Sequence, residues 1–174
     1  MHPIRRRTVL SGLAAATLGA NAWSQDRITL RLHQFLPPQA TIPKLAIDTW
    51  AKKIEKESGG RLHIQQFPSM QLGGRPPELL DQAKDGVVDI IWTVLGYTPG
   101  RFPKVEAFEL PFMTKTAKGG SRAFWEYMQK HSLDEFKGTK IILAHVHDGA
   151  ELHFAKKNVA TLDDIKGLKV RAPT

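Results

Sequence analysis

An arginine near the end of the sequence is the first candidate for chemistry. Arg171 closes the segment 167–171, in which Gly167 predicts a turn. Lys169–Ala172 then predicts a short strand that ends at Pro173, because proline has no N–H to donate to a neighbouring strand. A guanidinium at a strand end can offer two parallel N–H donors to a carboxylate. Arg171 is therefore a candidate clamp for an organic anion, and the alternative is a surface arginine in a salt bridge.

Histidines and carboxylates within nine residues form the second group of candidates: His145, His147, Asp148, Glu151 and His153. His145 and His147 share one face of a predicted strand, as metal-ligating histidines sometimes do. This spacing raises a rival hypothesis, a secreted metal-dependent hydrolase with Glu151 as the base. Against it, the sequence has no His-Glu-x-x-His pair, and Asp148 directly follows His147 and so points to the opposite face. No serine or lysine has a recognisable nucleophile setting, and we expect no catalytic residue.

The composition excludes several classes of site. The 174 residues include no cysteine, so a disulfide framework, a thiolate zinc site and a cysteine nucleophile are all impossible. Lysines and glutamates alternate between residues 52 and 57, a pattern typical of a solvated helix face. No basic run combines with stacking aromatic residues as nucleic-acid binding requires. We therefore expect no nucleic-acid partner.

Residues 1–22 predict an export signal of the twin-arginine type. Arg5, Arg6 and Arg7 precede an apolar and small-residue run from Val9 to Ala20, followed by a small-residue cleavage site. The run is too short to span a bilayer, which needs about 20 apolar residues. Cleavage at residue 22 leaves 22 Lys+Arg against 17 Asp+Glu, a net charge of +5 in place of +8. We expect the mature protein to be soluble in the periplasm.

Strands and helices alternate along the mature chain. Apolar alternation predicts half-buried strands at Ile28–Phe35 and Arg61–Phe67, and the nearly continuous apolar run Val88–Val94 predicts a strand covered on both faces. Predicted helices begin at a capping Thr41 and near Pro76, and another covers residues 121–129. Strands joined by helices imply right-handed crossovers and a parallel sheet, and hence an α/β fold.

Ligands of parallel sheets lie beyond the carboxyl ends of the strands. That rule places Gln34–Phe35, Pro68–Leu72 and Thr93–Tyr97 along one rim. Later strands are predicted at Lys140–His145, Leu152–Ala155 and Lys169–Ala172, with a short helix near Leu162–Lys166. We assign residues 23–146 to a first α/β lobe and 147–174 to the start of a second. Because two strands are not stable alone, we expect a truncated chain whose second lobe is only begun.

Five short segments occur in an order that resembles one family: Gly59–Leu62, Gln71–Gly74, Lys84–Asp89, Phe108–Phe112 and Gly167–Arg171. From Ile28 onward the chain resembles the N-terminal half of the DctP-type solute-binding proteins of TRAP transporters. The resemblance implies a periplasmic-binding-protein-like fold of two lobes, a ligand held in the cleft between them, and no enzymatic activity. It also implies delivery of the ligand to a TRAP membrane permease driven by a sodium gradient. A ligand-sensing domain of the same fold is the remaining alternative.

The resemblance also implies the residues of the site. It pairs Arg171 with the substrate carboxylate and places the cleft walls at Phe35, Gln71, Trp92, Thr93 and Tyr97, and, from the histidine-rich segment, His147, Glu151 and His153. Trp92 and Tyr97 suit an aromatic or branched acid, and their alternative role is core packing.

One departure from the family narrows the ligand. Sialic-acid-type members carry a second arginine shortly after the glycine that corresponds to Gly149, where this chain has residues Ala150 to His153. We therefore expect a smaller monocarboxylate, such as a hydroxy-, keto- or aromatic acid. No cofactor is expected, although a metal ion that bridges ligand and protein stays open.

Overall fold

Three parallel strands form the sheet of the protein. The computed structural model describes residues 26–149, 151–156 and 158–171, so the predicted export signal lies outside the described residues. The strands are β1 (Ile28–Gln34), β2 (Leu62–Phe67) and β3 (Ile90–Trp92), arranged in the order β2-β1-β3. Both neighbours of β1 run parallel to it, which confirms the predicted α/β fold. Strand β3 is shorter than the predicted Val88–Val94 because only three of its residues pair with β1.

Helices connect the strands and follow the sheet. They are α1 (Asp48–Glu57), which continues a π-helical turn at Ile42–Ile47; α2 (Leu79–Lys84), which continues a 3₁₀ turn at Pro76–Glu78; and α3 (Ala117–Tyr127), which runs on into a π-helical turn at Met128–Ser132 and a 3₁₀ turn at Leu133–Phe136. Further 3₁₀ turns lie at Leu95–Tyr97, Val105–Glu109 and Leu162–Ile165. In the described part of the chain, no helix combines the length and apolarity that crossing a membrane demands.

Helix α1 begins and ends near the predicted residues. Pro43 lies in the first turn, where its missing N–H costs no hydrogen bond. Thr41 precedes the helix as predicted, but its side chain accepts no capping hydrogen bond. Gly59 and Gly60 end the helix with φ values of +63° and +81°, a conformation that glycine adopts without strain.

Two hydrophobic clusters cover the two faces of the sheet. Successive residues of a strand point to opposite faces, so Leu30 and Leu32 of β1 face α1 while His33 faces α2. The α1 side buries Leu32, Ile47, Ala51 and Ile64. The other side buries a larger cluster that joins α2, α3 and the following turns: Leu80, Phe102, Val105, Phe124, Met128, Phe136 and Ala144. The sheet is therefore covered on both sides, as a parallel sheet requires.

Helix α3 begins four residues before the predicted start at Ser121. The Thr116 side chain caps it by accepting a hydrogen bond from the Gly119 N–H at 3.2 Å. The Ala117 N–H is satisfied by the Asp148 carboxylate at 2.7 Å. A threonine cap followed by two glycines is a weak helix signal, which is why the prediction began at the first apolar repeat.

The predicted strand at Lys140–His145 is wrong. The segment packs on the larger cluster through Ala144 but forms no backbone ladder. Instead, the Ser121 hydroxyl holds its end, accepting from the Val146 N–H at 3.0 Å and donating to the Val146 carbonyl at 3.2 Å. Ile142 and Leu143 stay 54% and 71% exposed. The consecutive apolar residues of this segment therefore lie beside the cluster without a neighbouring strand.

The predicted strands at Leu152–Ala155 and Lys169–Ala172 are also wrong as far as they are described. No backbone hydrogen bond joins residues 152–155 or 169–171 to another described segment. A strand is defined by its ladder, and a sequence with strand propensity stays irregular without a partner. The short helix between them is confirmed as the 3₁₀ turn Leu162–Ile165.

Replacing Gly120 should destabilise the contact between α3 and the segment after it. A Cβ at Gly120 would lie 2.7 Å from Val146 Cγ2 and 2.9 Å from Thr114 Cβ. At Gly119 the same atom would meet only Thr116 Oγ1, at 3.1 Å. Because both Gly→Ala changes bring the same gain in helix propensity, we expect Gly120→Ala to be about 1 kcal/mol less stable than Gly119→Ala. Urea unfolding measures the difference, and equal stabilities would contradict the close packing.

Candidate functional site

The loops that follow the three strands meet at one rim of the sheet. The loop after β2 is joined to the loop after β1 by two backbone hydrogen bonds: Ser69 N–H donates to Leu36 O at 3.0 Å and Met70 N–H to Gln34 O at 3.1 Å. Strand β3 ends beside β1, with Trp92 in register with Gln34. The predicted rim is therefore confirmed.

The buried Gln34 side chain fixes the turn that carries Phe35. Its Nε2 donates to the Leu36 carbonyl at 2.8 Å, and its Oε1 accepts from the Leu36 N–H. Gln34 is 1% exposed, so both amide groups are satisfied away from water. This local pair of bonds holds Phe35 out of the strand and over the rim.

Four rings form an aromatic cluster at this rim, defined by Phe35, Trp92, Tyr97 and His145. Phe35 stacks on Trp92, with ring centroids 5.2 Å apart and planes 18° apart, and meets Tyr97 edge-on at 5.3 Å and 71°. The rings of Trp92 and His145 are nearly parallel, with 6° between their planes and centroids 6.0 Å apart. Both offset-stacked and edge-on arrangements are attractive between aromatic rings. Three of these residues were predicted as cleft walls, and the structure brings them together.

His145 is the member of the cluster whose role the sequence did not reveal. The Trp92 indole Nε1–H donates to His145 Nε2 at 3.1 Å, so this nitrogen carries no proton. The spacing of His145 and His147 predicted possible metal ligands on one face of a strand. A strand-end tryptophan needs a partner for its N–H, but nothing in the spacing shows that a residue 53 positions later supplies it.

Trp92 packs in two places, and its role as a cleft wall stays a prediction. It packs against the cluster under α1 and at the same time stacks on Phe35 at the rim. Thr93 follows it as a half-buried residue. Gln71 lies exposed in the loop after β2, where its N–H donates to the Pro68 carbonyl at 3.1 Å. In the described part of the chain, the side chains of Thr93 and Gln71 make no hydrogen bond to the aromatic cluster.

The remaining predicted site residues are exposed, and among the described residues none of them hydrogen-bonds to the cluster: Arg171, His147, Glu151 and His153. His147 Nδ1 hydrogen-bonds to the neighbouring Asp148 carbonyl. Partial burial, and then the Glu106 carboxylate, raise the pKa of Glu109, and nearby His147 opposes that rise. Within residues 26–149, 151–156 and 158–171, no three metal-ligating side chains lie close enough to hold a metal ion.

Comparisons with known proteins agree on one family. Residues 33–174 match the family described as bacterial extracellular solute-binding protein, family 7, DctP. The outer membrane transporter protein TsaT of Comamonas testosteroni is 30% identical over 97% of this chain and 49% of its own length. The chain therefore spans about half the length of this curated relative.

Two solved structures share the fold at high identity. A TRAP solute-binding protein of Rhodoferax ferrireducens, in complex with copurified benzoate, is 52% identical over 81% of this chain and 44% of its own, with a TM-score of 0.77. A marine metagenome TRAP solute-binding protein specific for aromatic acid ligands, co-crystallised with 3-hydroxybenzoate, is 41% identical over 82% of this chain and 44% of its own, with a TM-score of 0.78. Both confirm the predicted fold class.

Proposed function

Because this chain belongs to the DctP family of bacterial extracellular solute-binding proteins, as its sequence predicted, we propose that it contributes the aromatic half of a carboxylate-binding site. The ligand is a small aromatic monocarboxylate of the benzoate or hydroxybenzoate type. The protein binds this acid outside the cytoplasm and releases it unchanged to a TRAP permease. Export by residues 1–22 and delivery to the permease are parts of the same proposal.

The aromatic cluster is the observation that carries this proposal. Three aromatic side chains and an imidazole meet at the rim where parallel α/β sheets bind ligands. A benzene ring gains from such walls through apolar burial and through stacked or edge-on contacts. The two similar structures hold benzoate and 3-hydroxybenzoate, which are both benzene rings with one carboxylate and differ by one hydroxyl group.

The carboxylate needs a cationic partner, and we assign that role to Arg171. Its side chain makes no hydrogen bond or ion pair with another described residue, and we propose that its donors bind the ligand carboxylate. A guanidinium binds a carboxylate through two parallel hydrogen bonds. We also assign polar contacts around this pair to Gln71, Thr93, His147, Glu151 and His153.

A ligand panel tests the proposal on the full-length natural protein. Benzoate and 3-hydroxybenzoate should bind in calorimetry and change the tryptophan fluorescence, since Trp92 belongs to the cluster. Cyclohexanecarboxylate matches benzoate in charge and approximate size but lacks the aromatic π system. We expect it to bind about tenfold more weakly. Benzamide keeps the ring but lacks the charge and should not bind detectably.

Two results would contradict the proposal. Tight binding of an aliphatic dicarboxylate or a sugar acid, without binding of benzoate, would overturn the aromatic assignment. Benzoate that is recovered chemically altered after incubation with the protein would overturn the assignment of binding without catalysis.

A further inference from the structure

A fully buried histidine lies directly under the loop after β2. His33 is 0% exposed, faces α2 from the end of β1, and has no part in the proposed ligand contacts. We propose that His33 is a positioning residue: as a neutral imidazole with its proton on Nδ1, it holds the loop 71–74 in the conformation that the carboxylate site uses. This inference rests on the proposed function and names a part of the same site.

The hydrogen bonds determine the tautomer. The Leu72 backbone N–H points to His33 Nε2 at 3.3 Å, so Nε2 must accept and carries no proton. Nδ1 therefore carries the proton and donates to the Gln82 Oε1 at 2.7 Å. With its carbonyl oxygen engaged, Gln82 turns its Nε2 to the Gly73 carbonyl and donates at 3.1 Å. One imidazole and one amide thus hold the N–H of one loop residue and the carbonyl of the next.

The loop has a conformation that needs such support. Ser69 and Met70 have φ values of 54° and 57°, which are unfavourable for residues with a side chain. Gly73 and Gly74 follow with φ values of +85° and +83°. A Cβ at Gly74 would lie 2.7 Å from Gln82 Nε2, so the loop backbone is packed directly on the same amide. Local preference alone does not select this path, and the contacts from β1 and α2 do.

Position links this network to the ligand. His33 immediately precedes Gln34 and Phe35, so the strand end that carries the aromatic cluster also carries the support of the loop. The supported loop contains Gln71, one of the proposed polar contacts. If the hydrogen bond from the Leu72 N–H to His33 Nε2 is lost, a buried imidazole nitrogen and a backbone N–H are left unpaired. This cost favours a rearrangement of the loop.

Three variants and three measurements test the inference in the full-length protein. His33→Phe removes both ring nitrogens at similar size, and His33→Gln keeps an acceptor near the position of Nε2. His63→Phe is the matched control, because His63 lies on β2 in register with Thr29, near the other end of the sheet. The measurements are the ¹⁵N spectrum of the imidazoles, hydrogen exchange at the Leu72 amide, and the benzoate Kd.

We expect a neutral Nδ1–H signature for His33 in the unmodified protein and a protected Leu72 amide. His33→Phe should speed exchange at Leu72 at least tenfold and raise the benzoate Kd about tenfold. His33→Gln should restore most of the Leu72 protection and most of the benzoate affinity. His63→Phe should change neither the exchange rate nor the Kd. If His33→Phe does not fold, Gln82→Met removes the other half of the network and should accelerate exchange at Gly73 and Leu72.

The outcomes separate this inference from the proposed function. An imidazole protonated at Nε2, an unchanged Leu72 amide in the variants, or a lost Leu72 bond with an unchanged Kd would each overturn the positioning role. If the unmodified protein binds no benzoate, the proposed function fails, and the imidazole spectrum and the Leu72 exchange still decide whether His33 holds the loop.

Discussion

Arg171→Ala should nearly abolish binding of benzoate to the full-length protein. Removing one partner of a charge-assisted, two-bond contact leaves the carboxylate unpaired in a dehydrated cleft, at a cost of about 2–5 kcal/mol. That cost corresponds to a rise in Kd of roughly 30-fold or more. Arg171→Lys keeps the charge but loses the planar pair of donors. Its benzoate Kd should therefore be closer to that of Arg171→Ala than to that of the unmodified protein. Calorimetry measures the benzoate Kd of the unmodified protein and of both variants.

A second arginine provides the control for this prediction. Arg122 is exposed on α3 and, like Arg171, makes no ion pair with another described residue. Arg122→Ala removes the same charge and should leave the benzoate Kd within twofold. An Arg171→Ala protein that binds benzoate as tightly as the Arg122→Ala protein would show that Arg171 is a surface arginine, the alternative that its sequence context left open.

The placement of the site could be predicted from the sequence because it depends on chain order. Apolar alternation at Ile28–Phe35 and Arg61–Phe67 marks two strands, and the helices between strands force parallel pairing. Parallel pairing then brings the residues after each strand to one edge, whatever the details of the loops. Phe35, Trp92 and Tyr97 therefore meet as expected.

The parts that could not be predicted depend on single contacts between residues distant in sequence. His33 occupies a regular polar position in the alternation of β1, and only the fold shows that Leu72 and Gln82 use its two nitrogens. His145 in the same way pairs with Trp92 across 53 residues. The predicted strand at Lys140–His145 is wrong for a related reason, since a run of apolar residues favours a strand but does not show whether a ladder partner lies alongside.

The aromatic cluster is the part of the proposed site whose members contact one another in the structure. Phe35 and Trp92 are its two inner members, because each contacts two of the other rings, whereas Tyr97 contacts Phe35 alone and His145 contacts Trp92 alone among the four. Removing the Phe35 ring therefore separates Tyr97 from Trp92 and opens the wall nearest to the rim. The effect on a ligand ring should exceed that of losing Tyr97 or His145, each of which contacts one other ring of the cluster.

Phe35→Ala should raise the benzoate Kd by about ten- to a hundredfold. The ligand ring loses apolar contact and at least one aromatic pair, and each such pair contributes about 0.5–1.5 kcal/mol beyond the buried area. Phe35→Leu restores apolar volume without the ring. It should recover part of the affinity but little of the preference for benzoate over cyclohexanecarboxylate, which calorimetry with both acids measures.

Phe112→Ala is the matched control for Phe35, because Phe112 is 99% exposed and takes part in no ring pair among the described residues. It should change neither the benzoate Kd nor the fluorescence response of Trp92. The decisive quantity is the ratio of the two acids' Kd values in Phe35→Leu. A ratio equal to that of the unmodified protein would mean that the cluster only packs the end of the sheet, and that the ring of the acid is recognised by other residues.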